Sequence, residues 1–369
     1  MTVMNNNPTV LEINLGSIEY NLDFFRSRLD KKTKILAVVK ASGYGTEAVS
    51  VAGRLEKIGV DYFAVAYADE GIALRKSGVK TPILVLHPQV QNLELLIQYD
   101  LEPNLYSEKI LDSFLEKVVK SDRMNYPVHL KFNTGLNRLG FRQSDLNLIS
   151  SKLKEVSLVR VKSIFSHLVA SEDQNEKEFS LNQIHEFSAI GQSFESLFGY
   201  LPMMHMSNTS GILNYPEAHF DMVRLGLGLY GFANDPDVTS KLKNVISLKS
   251  IISQIHHIRK NESVGYNRGF FSKSEMKTAT IPLGHADGLF RSLGQNKIFV
   301  QIKGQKAPVI GNICMDMIMI DISGIECNEG DEVVIFDSQK DILAMAEQAG
   351  TISYEILTAF SDRIKRLPF

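Results

Sequence analysis

Residues 35–66 read Ile-Leu-Ala-Val-Val-Lys-Ala-Ser-Gly-Tyr-Gly-Thr-Glu-Ala-Val-Ser-Val-Ala-Gly-Arg-Leu-Glu-Lys-Ile-Gly-Val-Asp-Tyr-Phe-Ala-Val-Ala. A short apolar run comes first, then a polar turn, a segment of helical period and a second apolar run, which is a strand, turn, helix and strand in sequence form. The unit recurs through the first two thirds of the chain. After 35–40 and 62–66, further runs lie at 82–86, 102–106, 128–133, 161–168, 203–208 and 222–226. Ile18, Leu22, Phe25 and Leu29, or Phe187, Ile190, Phe194 and Leu197, each share one helical stripe between or beside them. Eight alternating units predict an α/β fold of the closed (β/α)8, TIM-type barrel kind. An open doubly wound sheet has fewer units and a glycine-rich first turn, which is absent here.

Beyond about residue 240 the period changes to two, with glycines between the runs, so a mostly-β domain is expected over 241–369 after a barrel over 1–240. The first ten or so residues are free to join the β domain. In 297–303, Ile298, Val300 and Ile302 share a face, Gly304-Gln305 reads as a turn, and 307–310 follows as the next strand. Further strands are expected at 314–322 and 332–336, and a last short helix around 353–360. No long linker separates the halves.

The balance of 40 basic against 42 acidic residues gives a net charge of −2, which offers no field to recruit nucleic acid or an anionic membrane. Small-molecule partners are expected instead. The only cysteines, Cys314 and Cys327, form no disulfide framework and have no metal-ligand spacing to the histidines, so no metal is expected. Residues 1–10 carry asparagines and a proline without a basic start or apolar core, and no apolar run approaches the ~20 residues that span a bilayer. The expected location is cytoplasmic.

A barrel keeps its chemistry at the C-terminal ends of its strands, and Lys40 stands at the end of the first run. A lysine there is either a solvated cap or, once desolvated, an amine able to condense with an aldehyde cofactor. The loop after it is expected to be flexible and to bring Tyr44 to the same mouth. Alternation in 128–133 puts Lys131 on one face with His129 and Asn133, opposite Leu130 and Phe132. Asn208-Thr209-Ser210 before Gly211 reads as a helix start, a place where N–H groups favour an anion. Met315, Met317 and Met319 read as alternate-face packing on a strand, and Tyr266 as a strand tyrosine at an interface.

Val38-Val39-Lys40-Ala41 with Gly43-Tyr44-Gly45 is followed in order by Val128-His129-Leu130-Lys131, Thr134-Gly135-Leu136-Asn137-Arg138-Leu139-Gly140, Phe165-Ser166-His167, Asn208-Thr209-Ser210, Arg224-Leu225-Gly226, Val264-Gly265-Tyr266, Ala286-Asp287-Gly288, Cys314-Met315-Asp316 and Thr351-Ile352-Ser353-Tyr354-Glu355. Over nearly its whole length this set resembles the alanine racemases. The resemblance implies a homodimer that interconverts L- and D-alanine, supplies D-alanine for peptidoglycan and carries pyridoxal 5′-phosphate on Lys40. It makes Lys40 and Tyr266 the opposing bases, one on each face of the planar substrate–cofactor adduct. A tyrosine's ordinary pKa of about 10 requires neighbours that favour the phenolate, a part the resemblance gives to His167 and a nearby arginine.

Arg224 is directed by the same resemblance at the pyridine nitrogen, with His167 buttressing it; an arginine keeps its proton, so the ring nitrogen stays bare and the cofactor is a weaker electron sink. Tyr44, Asn208, Thr209, Gly226, Leu227 and Tyr354 are implied to hold the cofactor and its phosphate. Lys131 is implied to be carbamylated and, as an anion, to orient Arg138 toward the cofactor's phenolic oxygen and the substrate carboxylate. Met315 and Asp316 are implied to serve the carboxylate in the partner's site, together with Tyr266.

The pattern departs from the family at Ser42, Gly43 and Thr46, where asparagine, alanine and histidine are common, at Thr209 for serine, and at Leu225 for proline. The larger departure is His285, where a tyrosine usually lines the substrate entrance; it opens the question of substrate breadth and adds a group that titrates near neutrality. A serine or broad-specificity racemase of the same architecture is the nearest alternative. A non-catalytic pyridoxal-phosphate carrier would lack the β domain, and a fold-related decarboxylase would place an acid where Arg224 stands.

Overall fold

The computed structural model describes residues 8–121 and 123–369. Residues 1–7, most of the stretch without leader features, lie outside the described residues. The strands of the first part are β1 (Val10–Ile13), β2 (Lys34–Val38), β3 (Tyr62–Val65), β4 (Ile83–Val85), β5 (Glu102–Leu105), β6 (Tyr126–Lys131), β7 (Val159–Phe165), β8 (Met203–His205) and β9 (Met222–Leu225). β2 to β9 form a closed barrel in chain order, all parallel, and it closes where Lys34 to Ala37 pair with Met222 to Leu225. Each of the eight apolar runs is a barrel strand. Several end earlier than their apolar character suggests, because the last residues turn outward into the loops of the mouth. In 203–208 the ladder stops at His205, and Asn208 becomes the cap of the next helix.

Local signals set the outer helices. Asn14 caps the helix Leu15–Arg26 by accepting from the Ser17 N–H at 2.9 Å, and its Ile18, Leu22 and Phe25 are buried. The helix Lys177–Phe198 buries Phe187, Ile190 and Phe194 and ends on Gly199, whose φ of +75° suits a residue without Cβ. Asn21 ties the first helix inward: its amide donates to the carbonyls of Leu229 and Lys243 and accepts from the Lys243 N–H.

The remaining strands make a nine-stranded sheet and a separate two-stranded ribbon, Ser263–Val264 with Phe270–Phe271, and β1 belongs to the nine-stranded sheet rather than to the barrel. β1 runs antiparallel to Ile246–Ile251 and parallel to Lys365–Pro368. Three expectations for this region are corrected. The hairpin turn is Lys303-Gly304, with φ of +50° and +77°, so Gln305 already begins the next strand. A helix, Gln339–Ala349, stands where no helix is expected; Ser338 caps it and Ile342, Met345 and Ala346 form its short buried stripe. Finally, 314–322 is a strand only over Ile318–Asp321, because the Cys314 N–H turns back to the Met317 carbonyl at 2.9 Å. Met315 and Met317, both outside that strand, are exposed, at 58% and 47%, and do not pack on a strand face as expected. Among the described residues no helix is long and apolar enough to cross a membrane.

Candidate active site

At the C-terminal mouth of the barrel a cavity of about 510 Å³ is lined by Lys40, Tyr44, Lys131, Arg138, His167, Asn208, Thr209, Arg224, Gly226, Leu227 and Tyr354. The cavity thus gathers every residue expected to hold the cofactor, Tyr354 of the β domain among them. Residues not singled out also line it: Tyr67, His87 and Asn104 on one side, and Phe165 on the floor.

Lys40 stands two residues beyond the end of β2, at the head of a tight turn. Ala41, Ser42, Gly43 and Tyr44 all have left-handed φ, between +52° and +67°, a region that costs non-glycine residues roughly 1–2 kcal/mol each. Glu70 holds the turn in place, accepting from the Ala41 N–H at 2.6 Å while its other oxygen caps Ala66 and Tyr67. The turn buries Tyr44 against Tyr230, rings stacked at 4.6 Å, with Tyr354 at 6.0 Å. Burial, then Tyr354, push the Tyr44 phenol well up, so it stays a hydrogen-bond donor. Among the described residues the Lys40 side chain has no hydrogen bond or ion pair. Burial, then the charge of Arg138, lower its pKa, and Glu70 opposes them only in part.

Arg224 is the most heavily tied side chain of the site. Nη1 donates to His205 Nδ1 at 2.9 Å and the His205 carbonyl at 3.3 Å; Nη2 donates to His167 Nδ1 at 2.9 Å and the carbonyls of Ser166 and Met206 at 2.7 and 2.8 Å. Burial and Arg138 bring its pKa down to about 9, which leaves it charged at neutral pH. His167, pressed by burial and then by Arg224, Lys131, Arg138 and Lys40, is held well below the ordinary histidine range and is neutral. Its Nδ1 is therefore free to accept from Arg224.

Lys131 is buried, and its Nζ lies 4.9 Å above the Phe165 ring. Burial, Arg224 and Arg138 push its pKa well down, and no carboxylate pairs with it among the described residues. Held neutral by burial and by the two guanidinium groups, its amine keeps a free lone pair. Arg138 sits on the loop after β6, which is stitched by Asn133 to Phe141 and Phe141 to Lys131 at 2.8 Å each. Gly140, at φ +128°, permits this: a Cβ there would lie 2.7 Å from the Asn133 nitrogen. On the far side, Asn208 caps the helix Thr209–Asn214 by accepting from the Gly211 N–H.

Tyr266, Met315, Asp316 and His285 stand apart from this cavity, all exposed on the β domain, Tyr266 at 70%. They form one cluster of loops. The Tyr266 carbonyl accepts from Asn312 Nδ2 at 2.9 Å, the His285 N–H donates to the Cys314 carbonyl at 3.0 Å, and Asp316 pairs with Arg363 at 2.8 Å. A single chain does not bring them to Lys40.

Family models for the alanine racemase N-terminal and C-terminal domains match residues 13–234 and 245–368. The chain belongs to the alanine racemase family. It is 36% identical over 363 residues to the alanine racemase of Thermodesulfovibrio yellowstonii, covering 96% of each chain. With that of Clostridium tetani it shares 35% over 370 residues, 98% of this chain and 95% of the relative. The solved alanine racemase of Clostridium difficile 630 superposes with a TM-score of 0.93 at 31% identity, over 99% of this chain and 96% of that one. Among alanine racemase family motifs, those at Lys40 and Arg224 carried the most sequence signal. Glu70 and His205 carried none, since a capping carboxylate and a histidine inside a strand look ordinary until the fold places them.

Proposed function

We propose that this protein is a homodimeric, cytoplasmic racemase that interconverts L- and D-alanine for the cell wall, using pyridoxal 5′-phosphate held on Lys40. The observation that carries the reading is an unpartnered, deprotonation-prone Lys40 amine facing the same cavity as a fully anchored, charged Arg224. The residues present fit that cofactor. A Cβ on Gly226 would lie 2.5 Å from Tyr44 Oη, so bare main chain and a phenol donor stand side by side where a phosphate needs donors.

When bound, the cofactor supplies a conjugated electron sink that makes the substrate Cα–H acidic. Lys40 Nζ takes or returns a proton on one face, and Tyr266 Oη of the partner subunit does so on the other. Arg224 would hold the cofactor's ring nitrogen and, because a guanidinium keeps its proton, would leave the ring a weaker electron sink and disfavour transamination. Arg138 receives the substrate carboxylate, turned toward it by a carbamylated Lys131, and Met315 and Asp316 of the partner subunit close the carboxylate end, with His285 at the entrance.

The test is to incubate the purified protein with single enantiomers of alanine, serine and other amino acids and follow optical rotation. Alanine should lose its rotation fastest. If it keeps its rotation while another amino acid loses it, the substrate assignment fails. Gly226→Ala should displace Tyr44 and weaken pyridoxal-phosphate binding about tenfold to hundredfold, the equivalent of ~1–3 kcal/mol of overpacking. Titration of cofactor-free protein by absorbance measures it, and unchanged affinity would remove Gly226 and Tyr44 from the cradle.

A further inference from the structure

Below the cavity floor, five consecutive barrel strands each contribute one buried polar side chain: Glu102 from β5, His129 from β6, Ser163 from β7, His205 from β8 and Arg224 from β9. They are joined end to end. Glu102 Oε2 lies 2.6 Å from His129 Nε2, His129 Nδ1 lies 2.6 Å from Ser163 Oγ, Ser163 Oγ lies 2.8 Å from His205 Nε2, and His205 Nδ1 lies 2.9 Å from Arg224 Nη1. His129, Ser163 and His205 have no exposure at all, so water cannot substitute for a missing partner.

The direction of every bond follows from the two ends. A guanidinium can only donate, so His205 Nδ1 must accept and be bare. A neutral imidazole with a bare Nδ1 carries its proton on Nε2, and that proton goes to Ser163. The hydroxyl, having accepted, must donate its single hydrogen to His129 Nδ1. His129 then holds its proton on Nε2 and presents it to Glu102, and a carboxylate can only accept. Burial and the nearby charge of Arg224 favour a neutral His205 in the same sense. Phe165, stacked on the His205 ring at 4.7 Å and 5°, fixes its plane so that both nitrogens stay in line.

We propose that Glu102, remote from the cavity mouth, is a positioning residue for Arg224. It acts through a one-way relay of His129, Ser163 and His205 that keeps His205 Nδ1 an acceptor. Without an acceptor-only group at the far end, the relay can reverse: both imidazoles exchange tautomers, Ser163 rotates, and a His205 Nδ1–H opposes the Nη1–H of Arg224. The guanidinium then loses one of the partners that aim it. The inference rests on the proposed function only in that Arg224 meets the cofactor ring.

The decisive measurement is 15N NMR of histidine-labelled holoenzyme, with signals of the nine histidines assigned by substitution. His129 and His205 should both be neutral, protonated on Nε2 and bare on Nδ1. A protonated Nδ1 on His205, or an imidazolium at either position, overturns the proposal without any variant. Glu102→Gln, isosteric but able to donate, should move His205 into the other tautomer or a mixture and lower kcat about tenfold, with KM for alanine within about twofold. Ser163→Ala cuts the relay, so adding Glu102→Gln to it should leave the His205 signals unchanged. If Glu102→Gln alone leaves both the His205 tautomer and kcat unchanged, the proposal is wrong. The tautomers do not depend on which amino acid is turned over. A protein that fails to racemise alanine yet shows them refutes the proposed activity alone, and an active racemase with reversed tautomers refutes the relay alone.

Discussion

Tyr266→Phe is expected to reduce alanine racemisation by about 10²–10⁴-fold while the visible absorbance of the lysine-linked cofactor is unchanged. Tyr266 is exposed, its hydroxyl has no partner among the described residues, and its carbonyl is tethered to Asn312 Nδ2 and the Gly269 N–H. Removing one oxygen therefore removes a proton carrier and nothing that folds the protein. Since Lys40 still serves the other face, one enantiomer should continue to exchange its Cα hydrogen in D2O with retention, read by loss of the α-proton NMR signal. Unaffected racemisation would take Tyr266 out of the mechanism.

Lys40→Ala should abolish both the absorbance of linked cofactor and turnover, a loss of at least about 10⁴-fold. The melting temperature of the cofactor-free protein should hardly move, since the Lys40 side chain has no hydrogen bond or ion pair among the described residues and its removal orphans none of their groups. A large drop would mean that Lys40 is structural. The two variants also test where Tyr266 acts. Random hybrids of Lys40→Ala and Tyr266→Phe subunits contain one intact mixed site in half of the dimers, so about a quarter of wild-type activity should return. If Tyr266 serves its own chain's Lys40, mixing restores nothing.

The barrel was legible because most of its strands are short, mainly apolar runs flanked by polar turns, a pattern that burial on both faces enforces, although Glu102–Leu105 and Tyr126–Lys131 carry polar residues within the run. Lys40 and Arg224 stood out as charges terminating such runs. The helix Gln339–Ala349 escaped notice because its buried stripe is only Ile342, Met345 and Ala346 in a polar sequence. The strand expected over 314–322 failed for a reason of space: Gly284 packs against the 315–316 main chain so closely that a Cβ would lie 2.2 Å from the Met315 carbonyl, and the segment turns there. The left-handed course after Lys40 was equally hidden. Ala41 and Ser42 have no preference for it, and only the distant Glu70 carboxylate shows why it persists.

Strand β1 lies between Ile246–Ile251 and Lys365–Pro368, neighbours more than two hundred and more than three hundred residues away in sequence. During synthesis it emerges ahead of the barrel, and its second neighbour follows more than three hundred residues later. It must wait, unpaired, while the whole barrel emerges. The nine-stranded sheet can close only after Lys365–Pro368 has emerged, so a nascent chain with a complete barrel is still an incompetent enzyme. Severing β1 should accordingly disable the far end of the molecule, although it is the strand most distant in sequence from the residues it supports.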